Sequence, residues 1–254
     1  MSSLPAELLD DQEMALLLAC ARVTPGSASI EIQRALAGAI DAERFLELAQ
    51  RHMVVPLVWH NLKLHPEGTF DAGLLQALHS GYRQNVVGEL VWTHAALEVH
   101  RLLDAAGIAH CFLKGPAVAS RHYGESTLRA IGDIDLLVAS DDVDAANQIL
   151  LGAGYVAPEP LETLTPRQRR YFLYQQNQIA YTHPVSGLGV ELHWRADQVP
   201  GTLCALDALS GRGHFDLGGC SLPCLDDEEM LLHLCVHGGK HVWHRLKWVF
   251  DLPN

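Results

Sequence analysis

Apolar residues return every three or four positions through "AERFLELAQRHMVVPLVWHNL" and again through "VVGELVWTHAALEVHRLLDAAG". This is the period of helices that bury one face. It holds over nearly the whole stretch from about Ala6 to Leu103, with breaks at Pro25-Gly26 and in "HPEGTFD". The pattern changes at Gly107. "IAHCFLK" reads as a short buried strand, "GPAVASRHY" as a helix with Pro116 in its first turn and Tyr123 packing at its close, and "DIDLLV" as a second strand. Asp141-Asp142 is placed to cap "VDAANQILLGAG", a helix closed by Gly152 and Gly154.

Two alternating runs in "NQIAYTHPVSGLGVELHW" flank a Pro-Val-Ser-Gly turn and predict a hairpin. "HFDLGGCSLPCL" is a further strand-like run. Asp226 then opens one helix through "EEMLLHLCVHGGKHVWHRLKWVF", with Glu229 placed for a capping box. No repeat and no low-complexity tract interrupts this order, which divides into a helical region 1–105, a strand-containing core 106–225 and a C-terminal helix 226–254. The fold class expected is α+β.

Composition narrows the class of partner. Eighteen Lys plus Arg against 30 Asp plus Glu give a formal net charge of -12, so a long nucleic acid, which needs a basic track, is excluded. With 48% hydrophobic and 19% charged residues the chain is globular. The N-terminus has no basic region and acids interrupt its apolar run, so neither secretion nor membrane insertion is expected. The 6 cysteines form no framework, and Cys220 and Cys224 lack the second pair of a zinc site, which suits a cytoplasmic protein.

The candidate chemistry lies between Lys114 and Glu191. Asp133 and Asp135 are one residue apart in an apolar strand, so they share a face while Ile134 and Leu136 point into the core. Neighbouring carboxylates repel unless they share a proton, a basic partner or a divalent cation. An oxygen-rich pair suits Mg2+ (or Mn2+), with nucleotide phosphates completing the shell. Glu191 is a third acid in an apolar strand, on the same face as Gly189 and His193, and can complete a metal site or take a proton from an attacking hydroxyl. The plain alternatives are an aspartate that merely starts a strand and a Glu191/His193 pair on an exposed edge. Lys114-Gly115, ending one strand and opening a helix, places a cation and backbone N–H groups where a triphosphate would lie.

The arrangement "LKG", "RAIGDIDLLV", "VELHW" and "LHLCVHGGKHVWHRLKWVFDL", with the lead-in "LAQRHMVVPLVWHNL", resembles the uncharacterised nucleotidyltransferase family of bacteria, a branch of the polymerase-beta-like superfamily. The resemblance implies a small mixed β-sheet nucleotidyltransferase core flanked by N-terminal and C-terminal helices. It implies Gly115 for the phosphate turn and Asp133, Asp135 and Glu191 as metal ligands and catalytic acids. Lys114 stands where the wider superfamily has a serine contact to phosphate, and 17 residues separate Gly115 from Asp133, which matches this family. The resemblance also supports Arg129 as a phosphate clamp, against a surface arginine or one paired with Glu125. Lys240, His241 and Lys247 would present positive charge to the nucleotide or its leaving pyrophosphate. The plain account has the histidines packing or facing water and Trp243 and Trp248 anchoring the helix. His233, His237 and His241 recur at helical spacing, but Gly238 stands where a zinc protease has its glutamate. The chain stops at "DLPN", where the family usually continues.

The activity expected is therefore transfer of an NMP from an NTP such as ATP to a hydroxyl or phosphate of a peptide, protein or sugar. Two other readings stand beside it: transfer of a sugar or phosphate onto a ribosomal peptide with the same acids and lysine, and a non-catalytic module that binds nucleotide or a partner peptide through the helical front.

Overall fold

Three aspartates show how local chemistry starts the helical part. In the computed structural model, which describes residues 11–21, 32, 39–63, 70–158, 161–198, 209 and 213–252, Asp11 accepts the Met14 N–H to open α1 (Gln12–Cys20). Asp41 accepts the Glu43 and Arg44 N–H groups to open α2 (Ala42–Arg51). Pro56 lies in the first turn of α3 (Val55–Leu62), where a missing N–H costs no helical bond. Asp71 accepts the Leu74 N–H at the head of α4 (Ala72–Ala105), a helix of 34 residues. The predicted break at Pro25-Gly26 lies outside the described residues, as does most of "HPEGTFD".

The chain divides into two compact units: residues 1–89, 125–130 and 241–254 form one, and 90–124 and 131–240 the other. This partition differs from the linear division at 105 and 225, because α4 supplies residues to both units and the C-terminal segment belongs with the first. In the first unit the apolar faces of α1, α2 and α3 meet around Leu16, Leu17, Phe45, Val58 and Leu62, all essentially without exposure.

The second unit is built on a six-stranded sheet in the order β3-β4-β2-β1-β6-β5. Its strands are β1 (His110–Phe112), β2 (Ile134–Val138), β3 (Gln178–Thr182), β4 (Gly189–His193), β5 (Gly213–Leu217) and β6 (Cys220–Cys224). The pairs β3/β4, β2/β1 and β6/β5 are antiparallel and β4/β2 and β1/β6 parallel, so the sheet is mixed as expected. Helices α5 (Pro116–His122), α6 (Val143–Gly152), α7 (Pro166–Gln175) and α8 (Asp227–Lys240) belong to this unit, and α9 (Leu246–Phe250) to the first. No described helix is long and apolar enough to cross a membrane.

Several elements differ from expectation for identifiable reasons. The strand-like run at 214–225 is a hairpin, because Gly218 and Gly219 both take positive φ (55° and 80°) and reverse the chain between Leu217 and Cys220. Asp142 makes no capping bond: a 3-10 turn, Ser140–Asp142, leads the chain into α6 instead. Helix α7 was not anticipated, although Thr165, Pro166 and Gln168 form a full capping box with proline in the first turn. The single C-terminal helix is also corrected. α8 stops at Lys240, and Val242 and Trp243 follow with φ of 55° and 51°, a left-handed pair that no helix continues through. The expected Asp226 cap is present, accepting the Glu229 N–H at 2.9 Å.

Candidate functional site

Strands β2 and β4 run parallel, with Asp135 opposite Glu191 and Leu137 opposite His193. Since strand side chains alternate, this register places Asp135, Glu191 and His193 on one face of the sheet. One ligand atom from each lies within 4.8 Å of the others, and this is the one such three-residue group among the described residues. His193 Nε2 stands 3.3 Å from Asp135 Oδ1 and 3.6 Å from Glu191 Oε2, while its Nδ1 is 3.4 Å from the Asn177 side-chain amide. β4 lies between β3 and β2, so Glu191 and His193 are not the exposed edge pair that the sequence also allowed.

Asp133, one residue before β2, joins the group through Lys114. The Lys114 ammonium lies 3.3 Å from Asp133 Oδ1 and forms a closer ion pair with Asp135 Oδ2. Lys114 sits in the bend after β1, followed by Gly115 at φ 65°; a Cβ there would come 2.9 Å from the Asp133 carbonyl oxygen. A side chain at Gly115 would push the bend away from the acids.

Burial and charge act against each other here. The Asp135 side chain is 0% exposed and that of Asp133 41%. Burial alone would raise the Asp135 carboxyl, but Lys114 and His193 hold it well below the usual carboxylate range. Burial alone would lower Lys114, and the charges of Asp135, Asp133 and Glu191 instead raise it. His193 follows the same logic: burial pulls it down, and its contacts with Asp135 and Glu191 push it up. Each buried charge is thus offset by an opposite one, the condition under which such groups stay ionised.

Two carboxylates and an imidazole with Asp133 beside them fit a divalent cation, and the half-open Asp133 and Glu191 give the approach. The sequence pointed to the acids and to Lys114; His193 was noted only as Glu191's neighbour on the face. Its place two residues after Glu191 in an apolar strand was the available signal.

Of the other expected residues, Arg129, His241 and Lys247 belong to the first unit and Lys240 to the second. Arg129 is buried and donates from Nε and Nη2 to the two oxygens of Asp251, at 2.7 and 2.8 Å, a partner not anticipated for it. Lys240 ends α8 and is exposed. His241 lies past that helix, its ring 4.9 Å from Trp248. Lys247 is buried and donates to the Ala130 carbonyl at 3.1 Å. Helical spacing therefore does not carry the cationic row past Lys240. His233 on α8, noted in the sequence for its helical spacing with His237 and His241, is buried and neither ring nitrogen has a hydrogen-bond partner. Burial drives its pKa down to about 3, with Asp135 opposing and Lys114, His193 and Lys240 reinforcing the shift.

A family model described as uncharacterised nucleotidyltransferase matches residues 38–254. The chain belongs to this family. Among solved structures this nucleotidyltransferase is similar to the antibiotic-resistance factor ANT(2'')-Ia, at 14% identity over 64% of this chain and 83% of that one, with a TM-score of 0.42. No curated protein matches it. The mixed α+β fold expected from the sequence is present, and the acids from β2 and β4 lie together within one unit of it.

Proposed function

We propose that the chain moves an NMP from an NTP to a hydroxyl or phosphate of a peptide, protein or sugar, using a divalent metal held at Asp133, Asp135 and Glu191. The observation that carries this reading is the convergence of Asp135, Glu191 and His193 within 4.8 Å, with Lys114 bridging to Asp133. A divalent ion bound there supplies charge neutralisation for the phosphates and for the leaving pyrophosphate.

The chain's own residues do the rest. The acceptor oxygen bonds to the α-phosphorus, the bond from that phosphorus to pyrophosphate breaks, and the acceptor proton passes to the Glu191 carboxylate. Glu191 suits that role because its side chain remains 28% exposed, whereas Asp135 is sealed. His193 lies between the two acids, within 3.3 Å of Asp135 and 3.6 Å of Glu191, and acts as a positioning group for them. Lys114 holds the Asp135 carboxyl low and would meet a phosphate at the Gly115 bend.

Calorimetric titration of ATP, GTP, CTP and UTP, with Mg2+, with Mn2+ and with neither, tests the reading on the intact chain and on the Asp133→Ala/Asp135→Ala double variant. Metal-dependent binding of at least one NTP that is lost in a folded double variant is the expected result. An absence of nucleotide binding by the intact chain would overturn it, and product mass with candidate acceptors separates NMP transfer from sugar or phosphate transfer.

A further inference from the structure

Helix α7 offers one long stripe that the fold leaves uncovered. None of its ten residues is buried, and Arg167, Arg170, Tyr171 and Tyr174 are all exposed, the tyrosines at 66% and 67%. Those positions follow the helical repeat and form a single stripe about 10 Å long. The opposite side fastens the helix to the end of β4: Phe172 lies against Trp194, whose Nε1 donates to the Leu173 carbonyl at 2.8 Å. Arg195 Nη2 donates to the Tyr174 and Gln176 carbonyls at 3.0 and 2.8 Å. Asn177, the second residue after the helix, touches His193. The stripe is therefore fixed to the strand that carries Glu191.

Its charge is opposite to that of the chain. "PRQRRYFLYQ" holds three arginines and no acid, in a protein of net charge -12. Arg169 is held by Asp144 at 2.7 Å. Among the described residues Arg167 and Arg170 have no ion pair or hydrogen bond, and the buried Nε of Arg195 at the helix end has no partner. Arginine and tyrosine are the residues that most often carry binding energy at protein interfaces, and two unpaired guanidinium groups beside exposed rings match carboxylates interleaved with apolar side chains. A polynucleotide would need basic surface well beyond this short stripe.

We infer that α7 docks an acidic peptide segment, which presents the acceptor to the site on β2 and β4. The presentation step rests on the transfer reading above; the docking does not.

The probe is a fluorescein-labelled (Glu-Glu-Leu)n peptide of about 12 residues, which at about 3.3 Å per residue spans the stripe. Fluorescence anisotropy follows its binding to the intact chain, to Arg167→Glu/Arg170→Glu and to Tyr171→Ala/Tyr174→Ala. The expected result is salt-sensitive binding, weakened at least about tenfold by either double variant. NTP binding and melting temperature should be unchanged, since the altered side chains are exposed. The inference is overturned by no binding, by equal binding of the matching (Lys-Lys-Leu)n peptide, or by affinity that the arginine variant leaves intact. Tighter binding of a single-stranded RNA of similar length would overturn it in favour of nucleic acid. Concentration-dependent dimerisation abolished by the arginine variant would overturn it in favour of a second copy. Loss of NTP binding with peptide binding retained would remove the transfer reading and leave the docking surface standing.

Discussion

Lys114 and Asp135 form a buried ion pair in which the lysine comes from the bend after β1 and the aspartate from β2. The carboxylate has zero exposure and draws its second contact from His193. Removing the ammonium leaves a buried negative charge with half its support gone. Lys114→Met should destabilise the fold by about 3 to 5 kcal/mol, and saturating Mn2+ should restore part of that loss. Chemical denaturation with and without Mn2+ checks this; an unchanged midpoint in the variant would show that Asp135 does not depend on Lys114.

Metal affinity should rise with pH. Burial lowers the His193 pKa, but contacts with Asp135 and Glu191 outweigh it and raise it above its ordinary value of 6.5, so it keeps a proton between the acids to higher pH than a free imidazole would. A cation using those acids competes with that proton, and the competition eases as pH rises through the raised value. Calorimetry of Mn2+ at about pH 6 and about pH 8 should show tighter binding at the higher pH, by up to about tenfold per unit while His193 titrates. His193→Gln should flatten the dependence.

His233 is shifted in the opposite direction to His193, and its effect falls on stability. Its pKa falls to about 3 in the fold from 6.5. Below 6.5 the unfolded chain takes up a proton that the folded chain refuses, so stability falls as pH drops toward 3, on the order of 1 kcal/mol per pH unit. At higher pH the imidazole is neutral in both states and this contribution vanishes. His233→Leu should remove the slope and raise the melting temperature at about pH 5 relative to the intact chain. Equal shifts at about pH 5 and about pH 8 would count against it.

Arg129 and Asp251 tie the segment 125–130 to the C-terminal segment within the first unit, both side chains being almost wholly buried. Asp251→Ala removes the carboxylate from a buried guanidinium and should cost about 3 to 5 kcal/mol, whereas the exposed Asp144→Ala, which frees Arg169, should cost less than about 1 kcal/mol. Paired urea titrations separate the two.

Much of the site was legible because strand alternation is local. "DIDLLV" and "VELHW" show by their own spacing that Asp133 shares a face with Asp135 and Glu191 with His193, whatever the rest of the chain does. The hairpin around Pro184, the Asp226 cap and the start of α5 at Gly115-Pro116 are likewise short-range effects of turn and cap chemistry. Helix α7 is equally local, its capping box standing in plain sequence at Thr165.

What no spacing conveys is which strands become neighbours. Glu191 meets Asp135 only because β4 docks beside β2 in the parallel register that sets those two residues opposite each other, 56 positions apart in sequence. The end of α8 depends on the chain passing through two left-handed residues, although "LHLCVHGGKHVWHRLKWVF" has an unbroken helical period. Arg129 finds Asp251 across 122 residues, so its role as a buried anchor could not be read from the loop around it. The sequence by itself determined which side chains could share a face, since that follows from backbone geometry a few residues long. Only the tertiary structure decided which faces meet, because burial and ion pairing are settled between segments distant along the chain.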